Sequence, residues 1–327
     1  MENAAPRTLM NHMSLINHAA VEGQCEDSYA YCFCETYGML GVFDGCGGLG
    51  ARRYEKLDNR TGAYIASRVA GKTALEWFEH DMPCDQTGMY QNAQRAADGL
   101  KQHLDKALAD MLAEIEPAGR PGGGTMIRPL PTTASIALMD WSDAESIRCL
   151  FMWAGDSRCF ILRPDGLRQC TRDDLRIEGD AFENLYGDSP LSNLVSADGD
   201  YRINSARIVC RAPAIVLAAT DGTFGYWPSP MHFEWLLTDT LMRADSPADW
   251  EKRLGAQLEE VAADDATLVM AAFGWQDFEC MRRDFAQRHE YLCNGLNGAE
   301  NQEALREFWQ EYRQGYYVKG EPSPSEV

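Results

Sequence analysis

Met39-Leu40-Gly41-Val42-Phe43-Asp44-Gly45-Cys46-Gly47-Gly48 is the stretch on which the fold of this chain turns. Apolar side chains run up to a single carboxylate, and a glycine cluster follows and continues to Gly50. The run reads as a buried strand that stops at Asp44. Gly45-Cys46-Gly47-Gly48-Leu49-Gly50 also satisfies the G-x-G-x-x-G spacing of a dinucleotide loop. That reading asks for an acid about 20 residues further on, ending a second parallel strand. Residues 62–70 instead read as helix and hold no acid, and Asp44 would sit badly beside a pyrophosphate. The nucleotide reading is weak.

Other strands end in the same way. Asp156 follows Phe151-Met152-Trp153-Ala154-Gly155, and Asp221 follows Ile215-Val216-Leu217-Ala218-Ala219-Thr220. Glu26-Asp27 and Asp264-Asp265 stand just before the strand-like runs 28–35 and 267–273. Two carboxylates about 5 Å apart repel by about 3 kcal/mol at an effective dielectric of 20. A rim that gathered several would raise their pKa values or recruit a cation. Oxygen-only ligands favour a hard ion, Mg2+ or Mn2+, over zinc. Spacing alone leaves a second reading open, since Asp-Gly is an ordinary turn pair that recurs at Asp98, Asp165 and Asp198.

The rest of the chain reads as runs of strands interrupted by helix pairs. Strands are expected at 14–20, 28–35 and 38–43, with Gly38 turning between the last two. Helices follow at 63–80 and about 92–116, closed by the glycine-rich loop 119–125. Strands resume at 133–141, 146–154, 158–163, 167–171, 201–210 and 214–220. Between them 172–199 is polar and turn-rich, a mobile flap or excursion. Helices near 231–242 and 247–262 precede the strand 267–273. The pattern is α+β, antiparallel sheets covered by helices.

Length and composition narrow the partners. A chain of 327 residues buries a sizeable core. Its 50 acidic against 30 basic residues, net −20, repel phosphate backbones and anionic lipid, so nucleic acid and membrane surfaces are not expected partners. No apolar run approaches the ~20 residues of a membrane span. The N-terminus lacks the basic and apolar regions of a signal peptide. Eleven cysteines without a CxxC pair suit a reducing cytoplasm. Six histidines show no metal spacing, and neither a GxSxG elbow nor a P-loop occurs.

Taken in order, these stretches resemble the PP2C-type (PPM) metal-dependent protein serine/threonine phosphatases. Residues Phe43 to Gly48 are similar to the family's phenylalanine–aspartate–glycine–histidine–glycine–glycine signature. Cys25-Glu26-Asp27 looks like its first acidic motif, and Pro131-Thr132-Thr133-Ala134 like its threonine/alanine strand opening. Ala154-Gly155-Asp156-Ser157-Arg158, Leu217-Ala218-Ala219-Thr220-Asp221-Gly222 and Asp264-Asp265-Ala266-Thr267 resemble the later motifs. The resemblance spans about residues 14–275. It divides the chain into a phosphatase domain, 1–275, and a helical extension with a polar tail, 276–327. Within that extension Phe308, Trp309, Tyr312, Tyr316 and Tyr317 are expected to pack on the domain.

The resemblance implies a four-layer α-β-β-α sandwich that hydrolyses phosphoserine and phosphothreonine in proteins, opposing a serine/threonine kinase. Asp44 would bridge two Mg2+ or Mn2+ ions, with the Gly45 carbonyl and Glu26 serving one and Asp221 and Asp264 the other. A hydroxide between them would attack phosphorus in line. Asp156 would contribute to a weaker third position and Asp27 would support the ligands. Thr132, Thr133 and Arg158 read as structural.

Three departures bear on activity. Cys46 stands where the family has the histidine proposed to protonate the leaving alkoxide. Its thiol is a weak proton donor or simply a small turn residue, and general acids are worth about 10²–10⁴-fold. Glu22 stands where the family's phosphate-gripping arginine would be, which leaves Arg52, Arg53 or Lys56 as substitutes. Gly225 takes the place of a second acid beyond Asp221. A module that retains the fold and lacks turnover is the alternative to an enzyme.

Overall fold

The computed structural model describes residues 10–80, 82, 92–116, 128–143, 145–187, 189–299 and 301–318. The strands are β1 (Met10–His18), β2 (Ser28–Phe33), β3 (Tyr37–Phe43), β4 (Arg53–Tyr54), β5 (Arg60–Thr61) and β6 (Ala134–Asp140). They continue as β7 (Ser146–Ala154), β8 (Arg158–Arg163), β9 (Gly166–Gln169), β10 (Asn204–Arg211), β11 (Ala214–Ala219) and β12 (Ala266–Phe273). The helices are α1 (Gly62–His80), α2 (Ala93–Ile115), α3 (Asp221–Phe224) and α4 (Pro230–Arg243). They end with α5 (Pro247–Val261), α6 (Phe278–Asn297) and α7 (Gln302–Tyr312).

Two antiparallel sheets, ordered β1-β12-β11-β8-β9 and β10-β7-β6-β3-β2, carry the fold. Successive side chains along a strand face opposite ways. Ala137 and Met139 of β6 and Val216 and Ala218 of β11 therefore fill the space between the sheets. Their neighbours Ile136 and Leu138 turn outward onto Ala70, Trp77, Leu100, Leu104 and Leu108 of α1 and α2. Ile215 and Leu217 turn outward onto Phe233, Leu237, Trp250, Leu254 and Phe285 of α4, α5 and α6. Three apolar layers thus separate four layers of structure, and the α-β-β-α sandwich follows. Strands covered on both faces need apolar residues throughout, which is why β3, β6, β11 and β12 read so plainly in the sequence.

Gly38 is a correction. It lies inside β3 opposite Phe33, and the chain bends at Glu35 and Thr36 instead. A Cβ at Gly38 would come within 2.6 Å of the Phe33 ring and 2.8 Å of the Cys32 carbonyl. Close approach, not a turn, calls for glycine there. Residues 172–199 are irregular as expected, with a 3-10 turn at Glu183–Leu185, yet they are tied to the body by the bridge Thr132–Val195 and paired internally by the bridge Leu175–Leu191. The expected loop 119–125 and the tail beyond 318 lie outside the described residues. Among the described residues no helix is long and apolar enough to cross a membrane.

The aromatic residues of the C-terminal helices pack inward. Trp309, Tyr312 and Tyr316 are buried in the layer that covers the β1-β12-β11-β8-β9 sheet, with Phe308 half-buried beside them. Tyr317 stays 38% exposed.

Candidate metal centre

Asp44 begins where β3 ends, and neighbouring threonines fix it there. The Thr133 amide donates to the Asp44 carbonyl (2.8 Å), the Thr132 hydroxyl donates to the same oxygen (2.7 Å), and the Asp44 amide donates to Thr133 Oγ1 (3.1 Å). The Thr133 hydroxyl also pairs with Ser157 Oγ at 2.6 Å, which ties the Asp44 strand end to the turn carrying Asp156. Gly155, at φ +106°, makes that turn; a Cβ there would lie 2.7 Å from Thr133 Cγ2. The structural reading of Thr132 and Thr133 thus agrees with their contacts.

A second pair of ends meets across β11 and β12. Asp221 opens α3, and a Cβ on Gly222 would stand 2.0 Å from the Asp265 carbonyl, so the two loops touch backbone to backbone. Asp265 spends its carboxylate on backbone, accepting from the Glu26 amide (2.5 Å) and the Ala20 amide (2.9 Å). Asp27 accepts from the Thr220 hydroxyl at 2.7 Å, and its other oxygen is buried without a partner. Glu26 accepts from the Thr61 hydroxyl, and its Oε2 lies against Gly47, where a Cβ would come within 2.3 Å.

These ends open onto one cleft of about 1340 Å³, lined by Glu26, Asp44, Gly45, Cys46, Asp156, Asp221, Asp264 and Asp265 among others. Burial and mutual repulsion act on the acids there. Burial, then the charges of Asp221, Asp27, Asp156 and Asp264, holds the Asp44 carboxyl well above the usual carboxylate range. Burial and then Asp221 push Asp156 up to about 8, and burial and then Asp264 push Asp221 up to about 6. Burial raises Glu26 against the opposing hydrogen bond from Thr61. Among the described residues, no group of three or more His, Cys, Asp or Glu side chains is already gathered tightly enough to hold an ion. The two observations are compatible. Mg2+ keeps several waters and needs only one or two direct carboxylates, so carboxylates that share the lining of one polar cleft suit a hard ion better than zinc.

No family model matches the chain, and no curated protein matches it. Solved structures do. The serine/threonine phosphatase Stp1 from Staphylococcus aureus matches with a TM-score of 0.57 at 16% identity, over 83% of this chain and 99% of that one. A bacterial serine phosphatase matches at 0.56 and 18% identity, over 81% of this chain and 98% of its own. The fold is that of the PP2C-type phosphatases. A further match, the catalytic domain of the serine/threonine protein phosphatase PstP, was solved in complex with 2 manganese ions. Its TM-score is 0.52 at 17% identity, over 81% of this chain and 99% of that one.

Within this PP2C-type fold two expected substrate residues lie elsewhere. Arg52 and Arg53 do not line the cleft. Arg52 forms an ion pair with Glu116 at the end of α2 and stacks on Tyr54 at 5.1 Å, while Arg53 donates to the Asn59 carbonyl at 2.9 Å. Arg52 is thus used in pairing the β4 end to α2, and Arg53 in closing the β4–β5 ribbon. Glu22 is exposed and also outside the lining. The cations that do line the cleft are Arg128, Arg176 and Arg202, which sequence reading did not single out. They come from irregular chain, where no periodicity marks a residue. Arg128 is held by a bidentate pair with Asp198 (3.0 and 2.7 Å) and a contact to the Asp200 carbonyl (2.9 Å), and Arg202 by donation from its Nε to Asn204 Oδ1 (3.0 Å) and a looser ion pair with Asp174 (3.9 Å).

Cys46 lies in the cleft, its thiol 3.9 Å from the Asp44 carbonyl. Burial first, and then the charges of Asp44, Asp156 and Asp221, push that thiol well above its ordinary value. Arg158 makes a buried bidentate pair with Asp173 at 2.8 and 2.6 Å, in keeping with a structural role. Gly225 donates its amide to the Asp221 carbonyl and brings no carboxylate to the secondary cleft it shares with Asp156 and Asp173.

Proposed function

We propose that this protein hydrolyses phosphoserine and phosphothreonine monoesters in proteins with the help of Mg2+ or Mn2+. The single observation that carries the reading is the opening of Asp44, Asp156, Asp221 and Asp264, from separate strand ends, onto one cleft of a phosphatase fold. Asp44 with Glu26 and the Gly45 carbonyl, and Asp221 with Asp264, are the residues that would hold the two ions. Bound there, the ions supply Lewis-acid charge and a nucleophile from water at neutral pH. Asp27 and Asp265 orient the strands that carry these ligands through Thr220 and the Glu26 amide. Asp156 offers a third ion a weak hold, since Gly225 adds nothing beside it. The cleft is broad and polar, which suits a phosphorylated segment delivered by a cytoplasmic serine/threonine kinase better than an enclosed metabolite.

Cys46 favours a second reading, a module with little or no turnover. A thiol raised by burial and acid neighbours gives up its proton reluctantly, so an alkoxide leaving group would have to find its proton in water. Hydrolysis of p-nitrophenyl phosphate separates the two, because that leaving group scarcely needs a general acid. The enzyme reading expects Mn2+-dependent release of nitrophenolate that chelation abolishes. No release above background would leave the module.

A further inference from the structure

We infer that Trp309, Arg313 and Tyr317, in the C-terminal helical region, are positioning residues that hold one wall of the cleft in place; the inference rests on the phosphatase reading above. The wall is formed by Arg176 and residues 189–194, which line the cleft although no strand or helix contains them. They are held as a narrow ribbon: the Arg176 amide donates to the Pro190 carbonyl (3.0 Å) and the Ser192 amide to the Asp174 carbonyl (2.8 Å). A ribbon of this length is too short to be stable alone. Its far end, the turn at 180–186, is where the C-terminal region takes hold.

Asp180 is the hub of that turn. Its Oδ1 accepts from the amides of Phe182 and Glu183, both at 3.0 Å, and so shapes the turn itself. Its Oδ2 accepts from Trp309 Nε1 and from the Arg313 guanidinium, both at 2.8 Å, and so ties the turn to α7. Beside it the Ala181 amide donates to the Tyr317 hydroxyl at 2.6 Å, and the Phe182 ring packs 6.2 Å from that of Trp309. The chain beyond α7 is anchored in turn. The Gln169 amide donates to the Tyr316 carbonyl (2.7 Å) and the Val318 amide to the Gln169 carbonyl (3.3 Å), adding a short parallel pairing to β9. Asn184 closes the circuit by donating to Asp173, the partner of Arg158 two residues from Asp156.

Hydrogen exchange on the full chain tests the inference directly, with Trp309→Phe/Arg313→Gln removing both side-chain donors to Asp180 Oδ2 and keeping an aromatic ring at 309. Amides at 176–187 are expected to exchange roughly tenfold faster or more, with β11 and β12 unchanged. In Mn2+ the KM for a phosphopeptide is expected to rise about threefold to tenfold while kcat on p-nitrophenyl phosphate holds. Trp309→Phe/Arg313→Lys, which keeps a cation at 313, is expected to recover part of both. Tyr317→Phe, lacking one oxygen, repeats the exchange test should the double variant fail to fold. Unchanged exchange at 176–187, or equal acceleration throughout the chain, overturns the proposal. Absence of any hydrolysis by the unaltered protein would overturn the phosphatase reading alone, because exchange still decides whether the wall is held from the C-terminus.

Discussion

At the scale of single residues the cleft is governed by carboxylates that resist ionising together. Asp221, held up to about 6, and Asp156, held up to about 8, bind protons in the folded state that the unfolded chain would release. A folded pKa raised above the unfolded one gives stability that is complete below the unfolded value and is lost as pH climbs through the folded one. The metal-free protein is therefore expected to lose melting temperature as pH rises from about 4 to about 8, the share from Asp221 being lost by about 6 and that from Asp156 by about 8. Mn2+ is expected to restore more of it at the upper end, where it no longer competes with protons; melting curves with and without Mn2+ check both signs. An equal Mn2+ effect at both pH values would show that these acids do not meet the ion. Cys46→His supplies the missing proton donor at the same scale. It is expected to raise phosphopeptide turnover by about 10²-fold, the low end for a general acid, with aryl phosphate hydrolysis little altered. No gain on phosphopeptides would remove Cys46 from the reaction.

At the scale of elements the strand ends matter more than the strands. Gly222 lets the β11 end touch the loop before β12, and Gly155 lets the β7–β8 turn settle on Thr133. Gly155→Ala meets both a left-handed backbone and a close neighbour and is expected to cost about 1–3 kcal/mol for the strain alone. Chemical denaturation would measure it, and a loss below 0.5 kcal/mol, within the ordinary range of surface changes, would show that the turn relaxes freely. Much of this level was legible in the sequence. Buried strands such as Ala214–Ala219 announce themselves by unbroken apolar runs, and α2 by Leu100, Leu104 and Leu108 at helical spacing under an Asn92 cap. Gly38 misled because glycine serves turns and close contacts alike. Arg176 and Arg202 stayed invisible because only distant pairing, as between Asp174, Asn193 and Asn204, places irregular chain beside a cleft.

At the scale of the whole molecule one buried ion pair joins the parts. Arg158 of β8 and Asp173 of the excursion are each 4% exposed in their side chains, and Tyr316 from the C-terminus packs in the same apolar layer as β8. Removing one partner strands the other charge, so Arg158→Met is expected to destabilise by about 3–5 kcal/mol. Denaturant titration reads it, and a neutral result would mean that water reaches Asp173. The sandwich itself needs none of these polar links, since its three apolar layers close without them. What the links do is bring acids from four strand ends to one opening. Calorimetric titration of Mn2+ into the unaltered protein and into Asp44→Asn, at about pH 8, tests that most directly. The account predicts about two ions taken up by the former and a loss of binding of at least about tenfold in the latter. Identical titrations, or no uptake by the unaltered protein, would contradict it.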